Sequence, residues 1–452
     1  MLALALVVPE PARANGAFPA VSQLLSDPAD SDHLVLRTTF GLLVTRDGGA
    51  NWDWVCEAGA GYQDIEPPMA LLPGGVILLG LPDGVSRSDA SGCNFEHATG
   101  IDALVYDLAR VPSEPKSAVA ISGSGTDAGL WRSVDAGKSF ESVGAVIPDL
   151  IPTTVDVAAT DSQVIYASGR SGTAGALLRS SDGGKSFERF SVPGTTVARR
   201  PFIAAVDPRD ADTVYVRLDA QGASPLQVTR DGGKSFVTVL TTTVATSGFG
   251  ISPDGSTVIA SNAYDGTFRA ARDTLEFEKV ACSGPTCLSF NDAGLFGCGD
   301  QSVNGFVVGR SDDLGASFRR LVDLTCVRGP AACDTETSAG SLCPAVWPTV
   351  QQQLGATECV PPEVPPMVDC FSSAGSAERG AAGAETASGE GGRTGGVSGG
   401  GGKDTGASGS AGGTSSGCSC RLVSGASLER AWLLGAAMAG LARRGRRRAR
   451  RF

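Results

Sequence analysis

An eight-residue phrase recurs along this chain, and its period limits the fold more than any other feature. It stands as Ser133-Val134-Asp135-Ala136-Gly137-Lys138-Ser139-Phe140, as Ser180-Ser181-Asp182-Gly183-Gly184-Lys185-Ser186-Phe187 and as Thr229-Arg230-Asp231-Gly232-Gly233-Lys234-Ser235-Phe236. Looser copies are Thr45-Arg46-Asp47-Gly48-Gly49-Ala50-Asn51-Trp52 and Ser311-Asp312-Asp313-Leu314-Gly315-Ala316-Ser317-Phe318. Two long gaps hold worn copies. One, Ser88-Asp89-Ala90-Ser91-Gly92-Cys93-Asn94-Phe95, has an extra residue; the other, Arg272-Asp273-Thr274-Leu275-Glu276-Phe277, has lost its glycine. The aspartates of the series, Asp47, Asp89, Asp135, Asp182, Asp231, Asp273 and Asp313, then lie 40 to 49 residues apart. A unit of that length suits four short strands, and seven such units suit the blades of a propeller.

The text around each phrase agrees. Phe202 to Val206, then Asp207-Pro208-Arg209-Asp210, then Thr213 to Val216 reads strand, turn, strand. Val21 to Leu25, Asp27-Pro28-Ala29-Asp30 and Leu34-Val35-Leu36 repeat the arrangement. A third strand (Leu226-Gln227-Val228) enters the phrase and a fourth (Phe236 to Leu240) leaves it, so the phrase is a hairpin turn between them. Its Asp can accept backbone N–H groups two or three residues on, and its fifth-position Gly tolerates positive φ. Its final aromatic supplies a large ring to bury between blades.

The pattern Ser/Thr-x-Asp-x-Gly-x-Ser/Thr-Trp/Phe resembles the Asp-box (BNR) repeat of sialidases, xyloglucanases, sortilin-type receptors and photosystem II assembly factors. The resemblance covers residues 20–325. It implies an all-β, seven-bladed propeller with the boxes at the blade periphery, away from the ligand face. At the start, Met1 to Val8 and Ala12-Arg13-Ala14 read as a secretory signal peptide over 1–14, short of its basic region. A Cys-rich segment, 326–370, is expected as a disulfide-stapled appendage below the propeller, with a short helix-like stretch near Gln351-Gln352-Gln353. Residues 371–417, rich in Gly, Ser and Ala, are expected to be a disordered stalk. Residues 418–452 then bring Cys418-Ser419-Cys420, an uncharged run from Ala431 to Ala442, and seven arginines from Arg443 to Arg451. That run is shorter than the roughly 20 residues a membrane span needs. The combination resembles the myxobacterial C-terminal sorting signal (MYXO-CTERM). The resemblance implies removal of the helix and surface anchoring through lipid on Cys418, with Cys420 as the alternate.

Net charge is −11 overall, whereas residues 419–452 hold nine Arg and one Glu, and residues 1–14 are neutral. The body between them is therefore near −19, which argues against nucleic acid or anionic lipid as a partner. Ten of the twelve cysteines lie before Cys418, and an even count in an exported chain suggests disulfides. Cys56 ends the first blade and Cys93 sits in the worn box of the second, so these two are expected to pair. Cys326-x6-Cys333 and Cys343-x15-Cys359 lack the short spacing of zinc ligands, and no metal or cofactor is implied.

Catalysis has little to stand on. A sialidase needs an arginine cluster, a Tyr nucleophile with a Glu partner and an Asp acid, and the family's Arg-Ile-Pro motif is missing from Val35-Leu36-Arg37-Thr38-Thr39-Phe40. Tyr166 and Tyr215 occupy equivalent second-strand positions, which reads as core. The two histidines, His33 in a turn and His97 after a box, read as surface residues. Asp64, Glu66, Asp107 and Asp156, with Arg199 and Arg200, are the candidate channel-facing charges, at starts of innermost strands. The expected function is an exported, surface-anchored, monomeric propeller that binds a protein or glycan without catalysis. Its membrane contact would run only through the C-terminal signal or its lipid. A glycoside hydrolase and an assembly factor for exported proteins are the alternatives.

Overall fold

This computed structural model describes residues 19–219 and 222–359. The expected signal peptide, the stalk, the sorting signal with Cys418 and Cys420, and residues 360–370 of the Cys-rich segment lie outside the described residues. The described chain folds into seven four-stranded antiparallel sheets, each built from four consecutive strands. The blades span residues 21–55, 69–97, 104–147, 151–191, 200–242, 248–281 and 287–322. The innermost strands are Val21–Asp27, Met69–Leu72, Leu104–Arg110, Ile151–Val157, Arg200–Val206, Gly248–Ile251 and Cys287–Asn291. Each packs on its neighbours, and the first meets the last to close the ring. The all-β, seven-bladed fold expected from the period is the fold observed. Antiparallel connectivity puts the box turns and the first-to-second strand turns on one face. The blade-to-blade loops lie on the other.

The core is a set of seams between blades. Val119 and Leu130 of blade three, for example, pack with Val155 and Ile165 of blade four and with Leu150 just before it. Each such side chain, once buried, contributes roughly 1.5–3 kcal/mol.

The boxes are built by hydrogen bonds that the sequence supplies in order. Ser133 Oγ donates to Asp135 Oδ1 (2.8 Å), Ser139 N to Oδ1 (3.0 Å) and Ser139 Oγ to Oδ2 (2.6 Å). Gly137 N donates to Ser133 Oγ (2.9 Å). The same set recurs at Asp182, Asp231 and Asp313, and Asn51 replaces the second hydroxyl at Asp47. Burial pushes the Asp135 carboxyl up, but the bonds from Ser139 and Ser133 outweigh it and hold it at about 2. Two successive left-handed residues make the turn, Ala136 (φ 63°) and Gly137 (φ 81°). Gly137 is also required by space, since a Cβ there would stand 2.3 Å from Leu78 of blade two. At Gly49 a Cβ would stand 2.8 Å from Leu321 of blade seven. The boxes thus sit at the seams. An arginine of one blade binds the next blade's box turn: Arg46 to Ala90 O (2.9 Å), Arg87 to Ala136 O (2.7 Å), Arg230 to Arg272 O (2.9 Å). The worn turn of blade six differs. Only Leu275 is left-handed (φ 54°), and the hydrogen bond of the Asp273 carboxyl runs to Arg272 (3.3 Å).

After blade seven the chain crosses back to blade one. Arg328 N donates to Trp52 O (3.0 Å), Trp54 N to Gly329 O (2.7 Å) and Ala331 N to Trp54 O (2.8 Å), in parallel pairing along the outer edge of Asp53–Val55. Arg328 clamps Asp53 through two bonds of 2.9 and 2.7 Å. The helix Ser338–Leu354 follows, capped by Thr337 and longer than the stretch near Gln351 suggested. It buries Ala339, Cys343 and Leu354, and sets Trp347 against Trp54 at 5.3 Å.

Three expectations are corrected here. Cys56 pairs with Cys343 and Cys93 with Cys333, so the Cys56–Cys93 bridge does not form. The appendage lies along the outer edge of blade one and reaches blade two, rather than below the ring, because the free edge of the outermost strand offers unpaired backbone groups. His33 is buried, with Nδ1 3.3 Å from Asp27 Oδ2, because it packs on Gly75 of blade two. Cys287–Cys298 and Cys326–Cys359 complete the four disulfides between described cysteines.

Asp135→Ala is expected to cost about 1–3 kcal/mol in urea unfolding, because it strands part-buried donors. Asp273→Ala is expected to stay within about 0.5 kcal/mol. Equal losses at both sites would contradict the account of the boxes.

Candidate functional site

The channel begins with a backbone problem. Each innermost strand pairs along one edge, and the N–H groups of its other edge need acceptors. Inner strands of blades one, three, four and five also carry a bulge, at Ser22, Tyr106, Thr153 and Ala204. Side chains supply the missing acceptors across the blades. Asp107 Oδ2 accepts Val155 N (2.9 Å) from blade four. Asp156 accepts Val157 N (2.8 Å) and, from blade five, Val206 N (3.1 Å). Thr154 Oγ1 accepts Ile203 N (3.0 Å), and Gln23 donates to Met69 O (3.0 Å).

Asp107 and Asp156 are therefore brought together, within electrostatic reach of each other. Burial raises the Asp107 carboxyl to about 7; bonds from Val155 and Leu108 oppose the rise and the Asp156 charge adds to it. Burial also raises Asp156, against the bonds from Val206 and Val157 and the charge of Arg110. The other sequence candidates are apart from this pair. Asp64 and Glu66 stand exposed in the loop before blade two, Asp64 in the left-handed region (φ 56°). Arg199 reaches Ala223 O (3.0 Å) in an exposed turn, and Arg200 opens the inner strand of blade five beside Tyr106. Arg37 was not among the candidates, although a lone charge in Val35-Leu36-Arg37 signals a polar task. It donates to Ser22 Oγ (3.0 Å) and Pro67 O, and its charge acts on Tyr62, Glu66 and Asp107. Tyr166 and Tyr215 are buried among the seams.

Two of the concavities bear on the ring's channel and on the appendage. On the box face, the channel mouth offers about 400 Å³ between Asp27, Arg110, Pro208, Pro253, Phe290 and Asp292. On the loop side of blade one, a cleft of about 130 Å³ opens between the first inter-blade loop and the helix Ser338–Leu354. Phe40, Trp54, Val346 and Val350 form its apolar wall, and Glu57 and Asp64 its charged side. Asp64 N donates to Glu57 Oε2 over 3.5 Å, while Glu57 Oε1 and the Tyr62 hydroxyl are buried without partners. Burial raises the Glu57 carboxyl to about 7, the bond from Asp64 N opposing and the Asp64 charge adding to it. Among the described residues no group of three or more His, Cys, Asp or Glu is placed to hold a metal.

No protein-family model matches the sequence, and no curated protein does. Solved structures do. An ancestral GH74 enzyme is similar at 12% identity and a TM-score of 0.50, over 68% of this chain and 46% of that one. The GH74 xyloglucanase from Xanthomonas campestris is similar at 14% identity and a TM-score of 0.30, over 70% of this chain and 57% of that one. YCF48 bound to D1 peptide gives 16% identity and 0.34, over 49% of this chain and 66% of that one. The chain spans about half the length of the GH74 structures it matches. At these identities the likeness is one of fold.

The buried carboxyl of Asp107 gives the ring a pH signature. Its folded-state value lies above the ordinary carboxylate value near 4, so its contribution to stability is present below pH 4 and is lost as pH rises through 7. Asp107→Asn keeps an oxygen for Val155 N–H and removes the charge. Between pH 5 and 8, the wild type should lose on the order of 2 kcal/mol relative to this variant in urea unfolding. Parallel stability curves would contradict the burial of the charge.

Proposed function

We propose that this protein is an exported, non-catalytic binding propeller that takes up a protein or glycan ligand at its loops. The observation that carries this reading is the use of the channel carboxylates: Asp107 and Asp156 accept backbone N–H groups of neighbouring blades. Carboxylates held in that way tie strands together and are poorly placed to work on a sugar. Disulfides tying the appendage to blades one and two support an oxidising compartment. Rigid blades carrying loops of free composition suit recognition.

A second reading has one observation in its favour. A carboxyl held near 7 beside a second carboxyl is the usual arrangement of an acid and its partner in glycoside hydrolysis. The two readings separate in one experiment. The full oxidised chain is screened on a glycan array, with parallel hydrolysis assays on the glycans that bind and on soluble polysaccharides. The binding reading expects retention without turnover. Turnover that Asp107→Asn and Asp156→Asn abolish would replace it with the hydrolase.

A further inference from the structure

The cleft beside the helix Ser338–Leu354 has a chemistry of its own. Its volume of about 130 Å³ is close to that of an apolar cavity of roughly 150 Å³ that holds benzene. It has room for one side chain or a small organic molecule, and too little for a length of polysaccharide. Two features of its polar side point to the charge of that occupant. Glu57 Oε2, at an exposed position, has only the 3.5 Å contact with Asp64 N, and Glu57 Oε1 behind it is closed off from solvent without a hydrogen-bond partner. An unmet carboxylate oxygen against an apolar wall is costly, and a cationic donor relieves the cost. None of the residues lining the cleft is basic. The charged or titratable groups around Glu57 are Asp64 and Tyr62, with Arg37 and Glu66 beyond Tyr62. Asp64 sits at the rim in a left-handed conformation that costs an L-residue energy, and it adds a second negative charge there.

We propose that this cleft binds one alkylammonium group, the chemistry of a lysine side chain, with its stem along Phe40, Trp54, Val346 and Val350 and its ammonium on Glu57 and Asp64. The inference deepens the binding reading and rests on it, since it names the group a ligand would insert.

The test is calorimetric titration of the full oxidised chain with n-butylammonium, with the neutral analogue 1-pentanol, one carbon longer, and with Nα-acetyl-lysine N-methylamide. Butylammonium should bind saturably and at least about tenfold more tightly than pentanol. Its affinity should rise about tenfold from pH 6 to pH 8, as Glu57 gives up its proton while the amine stays charged. Glu57→Gln should weaken binding about tenfold. Val346→Arg, on the exposed wall, should abolish it with an unchanged melting temperature. Tighter binding of the lysine amide than of butylammonium assigns the site to a protein ligand, and equal binding assigns it to a free amine. Absence of saturable binding, equal binding of pentanol, or an unchanged Glu57→Gln overturns the proposal. Glycan turnover would sink the binding reading without altering this titration, and a failed titration leaves the turnover assay to be judged by itself.

Discussion

A ring of wedges holds only if its first and last wedges are held together. In this chain every described blade is made of four consecutive strands, so no sheet spans the junction with strands from both ends. The junction between blades one and seven relies on the packing of Val21–Asp27 on Cys287–Asn291, on Ser26 Oγ against Ser289 Oγ (3.2 Å), and on Gly49 beneath Leu321. To these is added a clasp. Residues 328–331 leave blade seven and zip onto the outer edge of blade one, and two disulfides then fix the following segment to blades one and two. A bridge such as Cys56–Cys343, closing 287 residues of sequence, typically stabilises by about 2–4 kcal/mol, mainly by restricting the unfolded chain. The clasp also covers an edge that would otherwise offer a template for strand pairing.

The same need to join blade to blade explains where the polar residues went. Box glycines let one blade approach the next, box carbonyls take arginines from the preceding blade, and inner-strand carboxylates take N–H groups from the following one. Residues that read as chemistry in the sequence are largely joints in the structure. Beside the first blade two joints meet imperfectly. The helix laid over blade one forms one side of the cleft, and on the other side Glu57 Oε1 is left without a partner.

How much of this was legible in the sequence follows from the range of the interactions. The box is local: Ser133, Asp135, Gly137 and Ser139 satisfy one another within seven residues, so spacing alone revealed blade number and turn. The worn copy at Asp273 kept its position in the period after its hydrogen bonds were lost. The clasp is long-range, since Cys93 meets Cys333 across 240 residues and nothing in local spacing encodes the partner. Its helix was masked by Pro344 and Pro348, which lie four apart on the exposed side, while the stripe Ala339, Cys343, Trp347, Val350 and Leu354 carries the helical period. His33 looked like a turn residue because its burial depends on Gly75 of another blade. Asp107 and Asp156 could be placed on inner strands, but their acceptor role depends on bulges and neighbouring registers that only the assembled ring sets.

The central claim is that the segment after blade seven clasps blades one and two and so both closes the ring and forms the cleft. Peptide mapping of the native, non-reduced protein by mass spectrometry tests it most directly. The account predicts linked peptides joining Cys56 to Cys343 and Cys93 to Cys333. A peptide joining Cys56 to Cys93 would free the appendage from the rim and contradict it.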